Sequence, residues 1–549
     1  MSDAQTDLQV MWNRLLAVVE EQAQVLIRTA FSPIVRECGD ISAGIFDFEG
    51  RMLAQAVTGT PGHINTMAAA VETLRARFAV SDMKPGDVYM TNDPWIASGH
   101  LNDFLLMMPV FLEGRVVGFT SCTSHLVDLG GLGMGPEGAD FFDEGLLIPP
   151  CKLMAGGQMN DLLLDIVKAN SREPVANEGD IYALVACCEA GADRLVQMMR
   201  EFGISSLSAL SDYIIDTSLR GTIEAIAALP KGTWQHVLMV DGYDAPIALH
   251  ASLTIAADHL LLDFAGTAGC VDKGINVPLN YAAAYSVFAL RCIIGSDIPN
   301  NAGSLAPFRV TGPEGCILNA QPPAPVAMRH TLGQMTPDLV YGCLSQALPD
   351  KVPAEGASCM YDLPLRHVAD AGDRGDTQFA LELVFNGGTG ARPALDGLSA
   401  TAFPSGVWGS QIETTEAVAP VLFHRRELRM DSGGAGQRRG GLGQRIELDS
   451  AIDQDFLVFL SVERMQHPAQ GRHGGLPGAP GSIRIGPDGP PLPGKGTLRV
   501  RAGERLVFET PGGGGFGQPE ARVQEELARD LEAALVSERA ARTLYGWKG

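Results

Sequence analysis

The chain changes its hydrophobic period several times, and each change predicts a different element. Through DLQVMWNRLLAVVEEQAQVLIRTAF (7–31) apolar residues return at helical spacing, which predicts an amphipathic helix. DISAGIFDFEGRMLAQA then reads as a hairpin with its turn at Glu49-Gly50. A second helix is predicted over HINTMAAAVETLRARF (63–78). DVYMTNDP, FLLMMPVFL and GRVVGFTSCTSHL alternate or run apolar, as strands of one sheet would. In that frame Asp93 follows the first strand, His100 and Asp103 precede the second, and His125 follows the third.

Helical spacing resumes at 177–203 and 205–229, strand character at WQHVLMVDGY and ALHASLTIAADHLLLDFAG, and helices again at 279–295 and 330–349. From 355 to 510 the pattern is strand-rich with Gly and Pro punctuation, and the chain closes on a charged helical segment. The predicted fold class is α+β or mixed α/β in several subdomains. They are a mixed sheet-helix domain over 1–175, a helical and strand-bearing middle over 176–350, a β-rich domain over 351–517 and a C-terminal helix over 518–549. A length of 549 residues supports that division, because it exceeds what one core encloses.

Composition narrows the function. With 46% apolar and 19% charged residues the chain is ordinary globular material, and a net charge of −23 argues against nucleic acid as a partner. No basic-then-apolar leader and no apolar run of membrane-spanning length is seen, so neither secretion nor a membrane span is expected. The ten cysteines show no CxxC spacing and sit mostly in apolar contexts, Cys187-Cys188 within a helical pattern. They read as reduced core thiols in a cytoplasmic protein. Three glycine clusters occur at 432–443, 473–481 and 510–517; none is a Walker-A loop or a Rossmann fingerprint. They read as tight turns and close backbone crossings, the alternative being an anion-binding nest aided by Arg438 and Arg439.

The candidate chemistry lies between 63 and 125. Asp93, His100 and Asp103 stand just before the apolar run FLLMMPVF, where charged and imidazole groups are costly unless paired or ligating. His63, His100 and His125 fall in this region, and two of them share the pattern His-Leu-x-Asp: His100 with Asp103, His125 with Asp128. Imidazole with carboxylate suits manganese, iron(II) or zinc, and Asp40 could complete a set of four. The competing reading is that such pairs are turn or capping features. A serine triad lacks a GxSxG elbow, and His330, at the start of a helix, is expected to cap it.

The chain resembles the B subunit of the hydantoinase/oxoprolinase family, the N-methylhydantoinase B type, which is homologous to the metal-binding subunit of acetone carboxylase. The likeness spans nearly the whole chain. It is carried by LIRTAFSPIVRECGDISAGIFDFEGRMLAQA, TGTPGHINTM, NDPWIASGHLNDF, EGLLIPPCKL, DFAGTAG, DIPNNAGSLAPF, MDSGGAGQRRGGLG, TPGGGGFGQP and VSERAARTLYG. Ala97-Ser98-Gly99, the Leu-Val after His125, and GLGMGPEGADFFDEG depart from the family's usual wording.

The resemblance implies an ATP-dependent cyclic-amide hydrolase working as part of a complex. A separate A-type subunit with an actin-like ATPase fold would bind ATP and phosphorylate the substrate, and this B-type chain would hold a divalent metal (manganese, zinc or iron) and finish the chemistry. The implied metal ligands are Asp40, His100, Asp103 and His125, with His100, Asp103 and His125 catalytic. His63, Asp93 and Asp128 are implied to support those ligands or to contact substrate. The implied substrate is a hydantoin, lactam or 5-oxoproline, and two A with two B subunits the implied assembly. An ATP-dependent ketone carboxylase subunit, or a non-catalytic assembly subunit with a structural metal, are the alternatives.

Overall fold

The computed structural model describes residues 3–368 and 379–549. Its first layer is a seven-stranded antiparallel sheet in the order Met52–Gln55, Ile41–Asp47, Arg115–His125, Asp103–Leu112, Val88–Thr91, Cys151–Ala155 and Gln158–Met159. The helices Asp3–Thr29 and Pro174–Glu201 pack on one face, and the helix Pro61–Arg77 on the other. This explains the unbroken apolar run in the central strand. Phe104, Leu106 and Met108 enter the core beneath the first pair of helices, while Leu105 and Met107 enter the core beneath the second. A strand covered on both faces has no polar side to alternate with.

A four-stranded sheet follows, in the order Phe308–Thr311, Leu260–Asp263, Ile247–Ile255, Gly232–Val240. The helices Leu279–Ile293 and Thr336–Ala347 share its core. Two more four-stranded sheets share a third core. One contains Tyr361–His367 and Ala380–Phe385 as antiparallel neighbours, the other Gln444–Ser450 and Leu506–Glu509. The mixed α/β class and the strand-rich character beyond residue 355 are as the pattern predicts.

The terminal segment differs in detail. It folds as two short helices, Gln524–Glu532 and Glu538–Leu544. The break falls where Ala534 takes φ of 54° and the Ser537 side chain caps the second helix by accepting from Ala540 N–H. The three glycine clusters cross one another backbone to backbone. Gly513 N–H donates to Gly441 O at 2.9 Å, and Gly434 N–H to Gly513 O at 2.8 Å. A Cβ on Gly513 would meet Thr389 O at 1.9 Å, so this crossing admits no side chain. Arg438 is held by Glu526, at 2.9 Å to both carboxylate oxygens, and Arg439 N–H donates to Asp396. Close crossing is therefore what these glycines provide.

Candidate metal centre

Three adjacent strands end together and bring the acidic and imidazole groups to one edge. Asp103 opens its strand and His125 closes the next, and the two are direct cross-strand partners. Asp40 immediately precedes the third strand, and its carbonyl accepts from His125 N–H at 3.3 Å. His63 reaches the same edge from the first turn of the helix Pro61–Arg77. His100, Asp103, His63 and His125 are at most 1% exposed.

Asp103 is the hub. Its Oδ1 lies 2.9 Å from His100 Nε2 and 3.2 Å from His125 Nδ1. Its Oδ2 lies 2.9 Å from His63 Nε2 and accepts from Arg329 Nη2 at 2.6 Å. One donor atom each from His100, Asp103 and His125 falls within 4.8 Å of the others, the spacing a single ion needs. Asp40 stands outside that trio, 3.5 Å from His63 Nε2, and accepts from Thr60 Oγ1 at 2.8 Å.

The tautomer of His100 tests whether a cation fits. His100 Nδ1 lies 3.0 Å from Ala327 O, and a carbonyl can only accept, so Nδ1 carries the proton. Burial, with the Arg329 charge next, pulls His100 down to about 4, so the ring is neutral at pH 7. Its Nε2 lone pair therefore faces a carboxylate oxygen at 2.9 Å with no hydrogen bond between them. Two acceptors this close, out of water, are an arrangement that a cation at the point where they converge would relieve. Burial alone would raise Asp103, but its contacts with His100 and His63 and the Arg329 charge hold it well below the usual carboxylate range, ready to ligate. The residues fit a divalent ion.

A further ring of charge surrounds the trio. Arg329 donates from Nε to Ser98 O at 3.0 Å and stacks 4.3 Å over the Tyr281 ring. Glu144 accepts from Val326 N–H and Ala327 N–H, at 2.6 and 2.7 Å, fixing the segment whose carbonyl orients His100. Burial pushes Glu144 up to about 8. Glu382 Oε2 lies 2.9 Å from His125 Nε2. Behind it are Asp362 and His330, 3.7 Å apart and fully buried, with no hydrogen-bond partner on either side-chain oxygen or ring nitrogen. Burial and the neighbouring Glu382 charge hold Asp362 well above its ordinary range.

The two His-Leu-x-Asp patterns are not equivalent. Within the first, His100 meets Asp103; in the second, Asp128 turns away to Arg172, at 2.7 Å. Asp93 accepts from Trp95 N–H at 3.0 Å and closes the local turn. His330 corrects the expectation of a cap: it starts its helix, but no side chain caps there, and its ring faces the site. Cys187 and Cys188 are buried as expected, with Cys188 Sγ 3.4 Å from Cys122 Sγ. Sequence reasoning missed Arg329, Glu144, Asp362 and Glu382. The available signal was a lone acid inside an apolar strand, in MYDLPL and ALELVF.

Comparison with known proteins places the chain in a family. The sequence model described as hydantoinase B/oxoprolinase matches residues 4–519. The chain is 28% identical to the B subunit of a putative D-/L-hydantoinase of Pseudomonas sp. (strain NS671) over 585 residues, covering 100% of this chain and 97% of that protein. It is 29% identical to the beta subunit of the caprolactamase of Pseudomonas jessenii, covering 98% of this chain and 95% of that one. The crystal structure of the ATP-dependent caprolactamase from that organism superposes with a TM-score of 0.90 at 27% identity, covering 98% of this chain and 96% of that one. A nucleotide-free acetone carboxylase structure superposes with a TM-score of 0.84, covering 98% of this chain and 79% of that one; at 20% identity it speaks for the fold alone.

Proposed function

Because the chain belongs to the hydantoinase B/oxoprolinase family, we propose that it is the B-type subunit of an ATP-dependent cyclic-amide hydrolase. Its substrate is a hydantoin, a lactam or 5-oxoproline, opened at the buried His100–Asp103–His125 centre. ATP is handled by a separate A-type subunit in a hetero-oligomeric complex in the cytoplasm. The relatives named as caprolactamase and hydantoinase subunits support the reaction class. The ten free cysteines, and described helices too short or too polar to cross a membrane, fit that compartment. The single observation that carries the reading is the neutral His100 nitrogen facing the Asp103 carboxylate at 2.9 Å in a site sealed from solvent.

An amide is a poor electrophile because its nitrogen donates into the carbonyl. Transfer of the ATP γ-phosphoryl group to the amide oxygen, leaving ADP, turns that oxygen into a leaving group. Water then adds to the carbon, the ring carbon–nitrogen bond breaks as the nitrogen leaves with a proton, and the acyl phosphate that remains takes a second water to give the carboxylate and inorganic phosphate. His100, Asp103 and His125 would hold a divalent ion (manganese, zinc or iron), which would supply Lewis acidity to an oxygen of the substrate or of the attacking water. Ala327 O sets the His100 tautomer, and Arg329 and His63 hold the Asp103 oxygen that turns away from the trio. Asp40 braces His63 from the rim, 3.5 Å away. The apolar walls keep bulk water from an activated intermediate that would otherwise hydrolyse unproductively.

The test is co-expression with the A-type partner, followed by elemental mass spectrometry and assay with ATP, a cyclic amide and labelled bicarbonate. The expected result is one divalent ion per chain, lost in His125→Ala, with ATP-dependent ring opening and no label in product. A stable labelled carboxylate, or turnover that survives loss of the ion, would overturn the reading.

A further inference from the structure

Beside the centre lies a cavity that the chemistry above does not use. It has a volume of about 530 Å³ and an apolar wall of Val57, Pro61, Ile64, Phe288 and Ile298. Pockets for small organic molecules run from roughly 300 Å³ upward, so a single ring has room. Val57 and Ser296 stand exposed at its edge. Gly59 and Pro61 also line it, while Thr60 between them is buried and donates to Asp40 Oδ1 at 2.8 Å. Cavity and centre therefore stand on either side of one short segment.

The polar part of the wall is a run of three side-chain amides. Asn65 Nδ2 donates to Ala284 O at 3.0 Å. A carbonyl only accepts, so the orientation of Asn65 is fixed and its Oδ1 is left to accept. It accepts from Asn300 Nδ2 at 3.1 Å, and the same Nδ2 donates to Gln55 Oε1 at 2.6 Å. Two neighbouring groups thus each keep one end unused. Gln55 Nε2, a donor, and Asn300 Oδ1, an acceptor, have no partner among the described residues. A small ring holds its amide cis, so the carbonyl and the N–H leave the same edge, one acceptor beside one donor. That edge is the complement of what Gln55 and Asn300 leave free. Among the described residues of the wall Arg291 is the one charged group. Its Nη1 and Nη2 are spent on Ile294 O and Ile298 O, at 3.1 and 2.5 Å. An anion would lose its water here and find no free cation.

We propose that this cavity binds the unphosphorylated cyclic amide, Gln55 Nε2 donating to its carbonyl and its N–H donating to Asn300 Oδ1, and that it takes a neutral lactam or hydantoin ring in preference to the carboxylate-bearing 5-oxoproline. This rests on the amidohydrolase reading and deepens it by narrowing the substrate. An amide that has not been activated is stable in water, so its site can stand open, whereas the centre that finishes the reaction is closed.

Ligand-observed NMR titration of the full-length chain with plain five-, six- and seven-membered lactams reads the cavity without ATP or a partner. At least one is expected to bind. Its N-methyl derivative, which cannot donate to Asn300, is expected to bind about tenfold more weakly, and 5-oxoproline more weakly than the plain five-membered ring. Gln55→Glu keeps the oxygen that Asn300 donates to and removes the free donor, and is expected to weaken binding about tenfold. Ser296→Trp, made at the exposed edge, fills the cavity from outside the core and is expected to abolish binding. No lactam binding by the wild type, binding that both variants leave unchanged, or 5-oxoproline bound as tightly as the plain ring overturns the proposal. Ring opening by the assembled complex without lactam binding here overturns the cavity and leaves the amidohydrolase reading standing. Binding that Gln55→Glu weakens, in a complex that opens no ring, keeps the cavity as a cyclic-amide site and overturns that reading.

Discussion

Two regions of this molecule bury charge completely, and they do so in opposite ways. Around Arg464 two carboxylates share one guanidinium. Its Nη2 meets Asp338 at 2.7 Å and its Nη1 meets Glu355 at 3.0 Å, while Asp338 also accepts from Ser358 Oγ at 2.6 Å and Glu355 from Gln470 N–H at 3.1 Å. Around Asp103 the groups are mismatched. Carboxylates and imidazoles face one another there at close range, His63 Nε2 and Asp103 Oδ2 at 2.9 Å and His125 Nε2 and Glu382 Oε2 at 2.9 Å, and His330 has no hydrogen bond on either ring nitrogen. Both regions have displaced water, but the first has met its acids with a guanidinium and local donors, while the second gathers three imidazoles and several acids around one arginine. A paired ionic cluster holds the fold; an unpaired one is arranged for something that arrives.

The comparison breaks most visibly at Arg464. Arg464→Met would strand two buried carboxylates and is expected to cost about 3–5 kcal/mol, read by chemical denaturation. If that loss is under about 1 kcal/mol, pairing is not what distinguishes the two regions. Next in size is His100→Ala. It is expected to lower affinity for manganese or zinc at least about 100-fold, near 3 kcal/mol, while leaving metal-free stability almost unchanged. Equilibrium dialysis and a thermal melt of the metal-free chain report the two quantities separately.

Glu144 sits between the two classes, because its Oε1 has two backbone donors and its Oε2 has none. Its ordinary value of 4.5 is raised to about 8 by burial. A raised folded value means the native state holds a proton the unfolded chain has lost, so stability falls as pH rises from 4.5 to about 8. At 1.36 kcal/mol per pH unit the ceiling on that fall is about 5 kcal/mol. Glu144→Gln keeps the acceptor and removes the charge. Its stability should vary less across that window than the wild type's, and a slope equal to wild type would refute the assignment.

How much of this could be read from the chain follows from which interactions are local. The strand run FLLMMPVF, the helices and the glycine crossings are written in nearest-neighbour patterns. His100 and Asp103 are three residues apart, and their contact at 2.9 Å could be inferred from spacing. Asp128 carries the same local pattern as Asp103 and does something different, because Arg172 lies 44 residues further on. Arg329 and Glu382 lie further from Asp103 and His125 than any local pattern extends. They reach the site only after two later sheets have formed, and no periodicity records which inward-facing acid will meet which histidine. The meeting of His100, Asp103 and His125 was legible through their motifs, and the charges that surround them were not.

The smallest effect gives the finest test of the contrast. Asp362 and Glu382 approach one another on neighbouring strands, both buried, and burial with the Glu382 charge keeps Asp362 protonated well above 3.8. Such a group loses stability as pH rises from 3.8 towards its folded value, because only the unfolded chain can ionise it freely. Asp362→Asn imitates the protonated form. The variant should match wild type near pH 4 and exceed it by about 1 kcal/mol at pH 8 in the metal-free chain. Ring opening should fall in the same variant, since the Asp362 carboxyl pairs with Glu382, which faces His125. A destabilised variant with full activity would place Asp362 with Arg464, among the charges that only hold the fold, and would erase the distinction between the two regions.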